Sequence, residues 1–429
     1  MEEAYKTIND FEREPVPKEV RKGWLPMATV WFAIGIDLSG MLLGAQLGAG
    51  IPFVEALLAV AVGSLFLGVL GAICANIGAA TGLSTTMISN FVFGAAGAKV
   101  ISVVISISMI GWFGVQAGFF AENTVSVVEH LTGWALPLPV VAFVGGLLMM
   151  TTAFAFRWFE KLTNWTSPLL VVLILAALVL AFTQRDASAV LAPVEAKFSF
   201  GVAVSLVVGI YVLGTILSPD ISRWAKSKKD AMIAAFLGFF FGNSFMVVIA
   251  VLLSKLLNTE DLAQVFILLG LSLPALIVLT FSQWTTNTNN LYSASLSMSV
   301  LIPKAKRPVL TLVMGIAASA LAFIGIFDHF ITFLSLMTML IAPVGGVYAA
   351  EYYVVDKQKF SFQALHSRKL IGRSLAVWLV TSLFCWLTTP APDGLGLLVF
   401  TTIPALDGFI VAFVLQALIG KAVFARKNR

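Results

Sequence analysis

The stretch Pro26–Gly50, PMATVWFAIGIDLSGMLLGAQLGAG, decides how the chain is read. It is apolar over more than the roughly 20 residues a helix needs to cross a bilayer. Its middle, Ala33-Ile34-Gly35-Ile36-Asp37-Leu38-Ser39-Gly40, nevertheless holds two glycines and a carboxylate. A charge at bilayer depth costs at least about 2.5 kcal/mol on insertion scales. Irregular backbone at that depth is tolerated only where it lines a cavity or is buried in protein. The segment therefore reads as a membrane helix broken near its centre, beside a cavity. Free carbonyls at such a break hold a cation, and free N–H groups hold a polar or anionic group. Asp37 has several readings: a partner for a basic or amino-bearing solute, a proton acceptor, a member of a cation shell, or an N-cap for the second half-helix.

Outward from this stretch the pattern repeats. Apolar runs fall at about 24–50, 53–81, 99–124, 136–156, 166–184, 199–218, 231–256, 269–299, 308–327, 329–354, 371–389 and 404–423, which makes twelve candidate spans. Of the 429 residues, 59% are hydrophobic and 11% charged, against about 25% charged in a soluble chain. A transmembrane β-barrel requires alternating segments of about ten residues, and the runs here are continuous. The fold class is thus all-α integral membrane, with the bilayer as solvent.

Orientation follows from the basic residues. With the N-terminus inside and the spans alternating, all but Arg185, Lys197 and Lys255 of the 27 Lys and Arg residues fall on the inner side. That bias is the positive-inside signature. It predicts a multi-pass protein of the cell (plasma or inner) membrane with both termini cytoplasmic, and it accounts for the net charge of +5 without nucleic acid. The first 23 residues lack the apolar core of a signal peptide and read as a cytoplasmic tail. Cys74 and Cys385 lie in apolar runs and form no zinc or disulfide framework. HExxH, paired-carboxylate and GK[ST] phosphate-loop motifs are absent, so the sequence points away from an enzyme and from a cofactor.

Span six, LVVGIYVLGTILSPD, carries Gly209, Gly214 and Pro219, and reads as a second broken helix. Spans one and six correspond if the chain is two five-helix repeats plus two helices. Trp112 in span three and Trp284 in span eight share nearly the same offset. Interrupted segments at matching places in two halves are the sequence mark of a transporter site. Asp220 with Arg223 ends span six and reads as a structural ion pair.

Polar side chains concentrate in two spans. Span eight reads FSQWTTNTNNLYSAS, where Ser282, Thr285 and Thr286 stand at i, i+3 and i+4 on one helix face. Hydroxyl oxygens so placed suit a hard cation such as Na+, by extension of the rule for calcium and magnesium. Ser and Thr also glue helices together, but here the run continues into Asn287, Thr288, Asn289 and Asn290. In span three Trp112 and Gln116 stand at i and i+4. An indole stacks on a flat ring, and an amide both donates and accepts along a ring's edge.

VPKEVRKG before span one, GWFGVQ in span three, SPDISRW after span six, WTTNTNNLYS in span eight and APVGGVYAAEY in span ten together resemble the purine–cytosine permeases of the nucleobase–cation symporter-1 family. The likeness runs in order from about residue 15 to 355. It implies a leucine-transporter-like fold: inverted five-helix repeats at about 24–184 and 199–354, extra helices at about 371–423, and cytoplasmic tails at 1–23 and 424–429. It implies symport of a small planar heterocyclic solute with Na+ or H+, by a monomer. Carried over by position, the sodium shell is the carbonyls of Ala33 and Ile36 with Ser282, Thr285 and Thr286. The solute stacks between Trp112 and Tyr211, with Gln116, Asn287 or Asn290, and Asp37 as polar partners. The chain departs from cytosine permeases at Met109, where they carry Gln, at Leu213, where they carry Ser, and at Asp37, where they are uncharged. These departures fall in the expected solute pocket and count against cytosine itself, while an amino-bearing ring could pair with Asp37. The expected function is import of a nucleobase such as cytosine or a purine, with an allantoin, hydantoin or vitamin-precursor pyrimidine as the alternative.

Overall fold

The computed structural model describes residues 14–36, 38–151, 156–302, 304–357, 360, 362 and 370–427. Sequence-based assignments to Asp37, to the first thirteen residues and to most of the 358–369 loop fall outside them. Every one of the twelve apolar runs lies on a helix or a pair of helices. Run one is α1 (Trp24–Gly35) and α2 (Leu38–Gly50). Then follow α3 (Phe53–Thr81), α4 (Thr85–Thr132), α5 (Leu138–Thr151), α6 (Phe156–Gln184) and α7 (Phe200–Ile216), with a short α8 (Ser218–Ser222). Run seven is α9 (Lys228–Leu237), a π-helical turn Gly238–Gly242, and α10 (Asn243–Leu257). The short α11 (Leu262–Leu268) precedes α12 (Ser272–Leu301), α13 (Arg307–Phe323), α14 (Phe330–Ala350), α15 (Gly372–Thr388) and α16 (Pro404–Lys427).

Five helical stretches are by themselves long and apolar enough to span a bilayer, among them Phe53–Thr81, Thr85–Thr132 and Lys228–Leu257. Shorter apolar helices include Leu138–Thr151, Phe200–Ile216 and Arg307–Phe323. The two runs in neither group are the first and the eighth. The first is cut in two, and the eighth is too polar. Both exceptions are among the four spans, one, three, six and eight, that the sequence marks as carrying a site.

The surface is that of a protein dissolved in lipid. On α3, Leu58, Val62, Leu65 and Val69 recur at helical spacing and are 52%, 37%, 49% and 47% exposed, a stripe no soluble protein would leave to water. The opposite side of α3 packs on α7, and in the same way α10 packs on α2. In chain order these are spans two with six and seven with one, the pairing that a duplicated five-helix unit would repeat. Spans three and eight (α4, α12) lie together, as do spans four and nine (α5, α13), and α15 and α16 pack against α14.

The first break falls where the sequence places it. Ile36 leaves helical geometry (φ −81°, ψ 73°) while its N–H still bonds Phe32 O at 3.0 Å. Gly35 is needed there because a Cβ would stand 2.8 Å from the Gly242 main chain. The second break is displaced. Helix α7 runs unbroken through Gly209 and Gly214 and turns at Leu217 (φ −80°, ψ 0°), before Ser218-Pro219. Gly209 serves close packing, since a Cβ would meet Leu334 O at 2.6 Å. Pro219, which has no N–H to continue the ladder, follows the turn. A further correction concerns the loop between spans two and three. It is helical from Thr85 and joins span three at Gly94, whose φ of +73° is left-handed.

Two polar tethers tie the N-terminal segment to the helices. The Arg21 guanidinium donates to Val16 O and Ala79 O, and Lys22 pairs with Ala225 through Lys22 N to Trp224 O and Lys226 N to Lys22 O. Separately, the buried Glu351 accepts from Arg373 at 2.7 Å and from Gln416 at 2.6 Å, joining spans ten, eleven and twelve.

Candidate functional site

The break in span one, the end of span six and the polar face of span eight enclose one cavity of about 1500 Å³. That is larger than the ~300–1,000 Å³ of a common ligand pocket. At its deep end stand Ile36, Met109, Trp112, Tyr211, Ser282 and Thr285. Toward the ends of spans six and eight it is lined by Ser84, Thr86, Asp220, Arg223 and Ser297, on the side to which the Lys and Arg distribution assigns the cell interior. Beyond Trp112 in the other direction aromatic rings fill the way. Phe333 and Phe330 meet the Trp112 indole edge-on at 5.1 and 6.3 Å, and Phe327 stacks on Phe119 at 5.7 Å.

The deep end is built by helix phase. Trp112 is 7% exposed and shows its remaining surface to the cavity. Tyr211 also lines it, and its hydroxyl donates to Gly35 O at 3.3 Å, so one side chain of span six holds the carbonyl at the break of span one. Ser282, Thr285, Thr286 and Ile36 all reach the same space, and Ala33 lies in the last turn of α1. The Thr285 hydroxyl presently donates to Ser282 O at 2.8 Å, which leaves its oxygen lone pairs toward the cavity.

Two of the amides named from the sequence lie off the lining. Gln116 is 1% exposed and donates to Ser39 Oγ at 2.7 Å, binding span three to the second half of span one. Asn287 is fully buried and donates to Phe113 O at 3.1 Å and Met149 S at 3.3 Å, between spans eight, three and four. Asn290 reaches the cavity and leans on Asn287 Oδ1 at 3.4 Å. Asn289, which the sequence reading left among its neighbours, is exposed and faces the cavity. Its signal was its phase, three residues after Thr286 and four after Thr285. Met109 and Leu213, the apolar departures, both line the cavity.

At the mouth, Asp220 accepts from Thr85 N at 2.7 Å and so caps the helix that opens there. Burial raises its carboxyl above the usual range, against the lowering effects of Thr85 and Arg223. The Arg223 side chain donates to the Asp220 main-chain oxygen at 3.2 Å. Among the described residues no cluster of three His, Cys, Asp or Glu side chains exists that would hold a transition metal.

A helical membrane protein in which a helix broken at mid-span lines a large cavity, with aromatic and hydroxyl groups side by side in its lining, is a transporter by class. The chain belongs to the family described as permeases for cytosine/purines, uracil, thiamine and allantoin, which its residues 15–391 match. It is 32% identical to the cytosine permease of Escherichia coli strain K12 over 352 residues, 80% of this chain and 81% of that one. It is 23% identical over 401 residues to the hydantoin permease of Microbacterium maritypicum, covering 86% of this chain and 80% of the relative. Among solved structures, its fold matches Mhp1, a nucleobase-cation-symport-1 family transporter. In the closed form with bromovinylhydantoin bound the TM-score is 0.80 at 18% identity, covering 97% of this chain and 96% of that one. In the inward-facing form it is 0.83 at 18%, covering 96% and 93%. The chain is thus a multi-pass membrane transporter with the Mhp1 fold, and not an enzyme.

Proposed function

We propose that this transporter imports a nucleobase, such as cytosine or a purine, together with Na+ by alternating access. The observation that carries the reading is that one cavity receives both the aromatic pair Trp112 and Tyr211 and the oxygen set of Ile36, Ser282, Thr285 and Thr286. Rings stack on the first, and a hard cation is held by the second. Twelve spans with both ends in the cytoplasm, in two inverted five-helix repeats and two further helices, make the frame. The repeated pairing of span two with six and of span seven with one supports it. In this frame the cavity is the inward-open state, and the Phe327, Phe330 and Phe333 cluster is the closed outer gate.

A second reading has its own observation. Met109 and Leu213 make the lining more apolar where cytosine permeases carry amide and hydroxyl groups, and this favours a less polar ring such as a hydantoin, or a vitamin-precursor pyrimidine. Coupling to H+ through Asp37 belongs to this reading. Thermal stabilisation of the purified protein separates the two, because a ligand that binds only the native state raises its apparent stability. Cytosine, adenine, hypoxanthine, allantoin and benzylhydantoin are compared with and without sodium. Stabilisation by a nucleobase that deepens with sodium supports the first reading. Stabilisation by a hydantoin, or by any ring indifferently to sodium, overturns it.

A further inference from the structure

The cavity face of α12 continues well past the oxygen set at its deep end. Ser282, Thr286, Asn289, Ser293 and Ser297 all line the cavity. They follow one another at steps of four, three, four and four residues, the spacing that stacks side chains one turn above the next. At about 1.5 Å per residue the line is roughly 22 Å long, and it runs from the break of span one to the inner mouth. Every member carries an oxygen acceptor, and none is charged. The two ends, Ser282 and Ser297, are more than nine-tenths buried, and both side chains face the cavity without a hydrogen bond from either hydroxyl to another described residue. The neighbouring Ser295, off this line, is spent on Tyr292 O at 2.9 Å. At the mouth the line meets Asp220, the one carboxylate among the described lining residues.

We propose that Asn289, Ser293 and Ser297 form the track along which the coupling cation leaves its site at Ser282, Thr285 and Thr286 for the cell interior. The proposal rests on the cation reading above. A sodium ion stepping off three hydroxyls into an apolar passage would shed ligands at a cost in barrier height. Here each turn of helix offers a replacement oxygen beside the water in the passage. The track lowers a barrier and is no part of the resting site. It therefore sets the rates of cation entry and release and leaves the equilibrium affinity alone.

That separation gives the test. The full-length protein is titrated with sodium alone, following its tryptophan fluorescence and its thermal stability, and is then diluted rapidly from sodium into choline. For Asn289→Leu combined with Ser293→Ala, the sodium midpoint is expected to stay within about twofold while the relaxation on dilution slows about tenfold. Ser295→Ala, on the same helix but off the line, leaves both unchanged. Thr286→Ala moves the midpoint and so marks the site itself. A shifted midpoint in the double variant, or an unchanged relaxation, overturns the track with the site intact. A wild-type protein that responds to sodium in neither fluorescence nor stability removes the site, and the track with it.

Discussion

The two halves of the first span share one apolar run and are held in opposite ways. The second half, α2, is locked. A Cβ at Gly44 would lie 2.3 Å from Val247 O and one at Gly48 would lie 2.8 Å from Ser254 Cβ, so the backbones of α2 and α10 touch along a glycine seam. Ser254 Oγ donates to Ala45 O at 2.9 Å, and the buried Lys255 ammonium donates to Ile51 O at 2.8 Å, at the helix end where a cation is favoured. The first half, α1, shows Leu25, Val30 and Phe32 at 57%, 44% and 38% exposure, and it packs through Trp31 on Gly238 and Phe239. The boundary is the point where Gly35 meets Gly242, so the break in span one and the π-helical turn in span seven stand at one level. One half is closed by a glycine seam against α10, and the other by Trp31 and Gly35 against α9 and the π-helical turn.

Four substitutions sharpen or break that contrast. The largest effect belongs to the seam. Gly44→Leu should prevent recovery of monodisperse folded protein on size exclusion, since overpacking costs about 1–3 kcal/mol even where backbones can yield. Recovery of a stable protein would mean that α2 is not locked. Next is the boundary. Gly35→Ala should cut solute uptake about tenfold or more while the melting temperature falls by only a few degrees, because the added methyl blocks relative motion more than it unpacks a core. Equal losses of both would assign Gly35 to packing alone. Third, Thr286→Ala should raise the sodium concentration for half-maximal uptake about tenfold with stability within ~0.5 kcal/mol. Unchanged sodium activation places the cation elsewhere. The smallest is Lys255→Met, which should cost about 0.5–1.5 kcal/mol of thermal stability, the net worth of one hydrogen bond. It should leave sodium activation untouched, and a change there would tie the outer cap to the site.

Much of this was legible in the residues, and the exceptions share a cause. Long apolar runs have one solution in lipid, so the helices and their order could be read directly. The break at Ile36 was legible because a carboxylate stood beside the glycines, a combination that a continuous membrane helix does not carry without cost. Gly209 and Gly214 lacked such a companion. A glycine alone does not distinguish a helix that stops from one that needs a neighbour close, and Leu334 supplied the neighbour. Gln116 shares the face of Trp112, but a helix face is wider than a passage, and Ser39 took its amide. The asparagines of span eight were read as a cluster. Their phase divides them, turning Asn287 toward Phe113 and Met149 and Asn289 toward the cavity.

The Glu351, Arg373 and Gln416 knot bears on the order in which the protein is made. Its acid lies in span ten, its base opens span eleven and its amide sits in span twelve. A ribosome that has delivered ten spans has placed a carboxylate among helices with its counter-charge still unmade, an arrangement that costs several kcal/mol. Arrival of the next helix supplies the charge, and arrival of the last supplies the second hydrogen bond. The final pair thereby acts as the closing stitch of synthesis. A chain cut short before it carries an unmatched buried charge that cellular quality control is equipped to find.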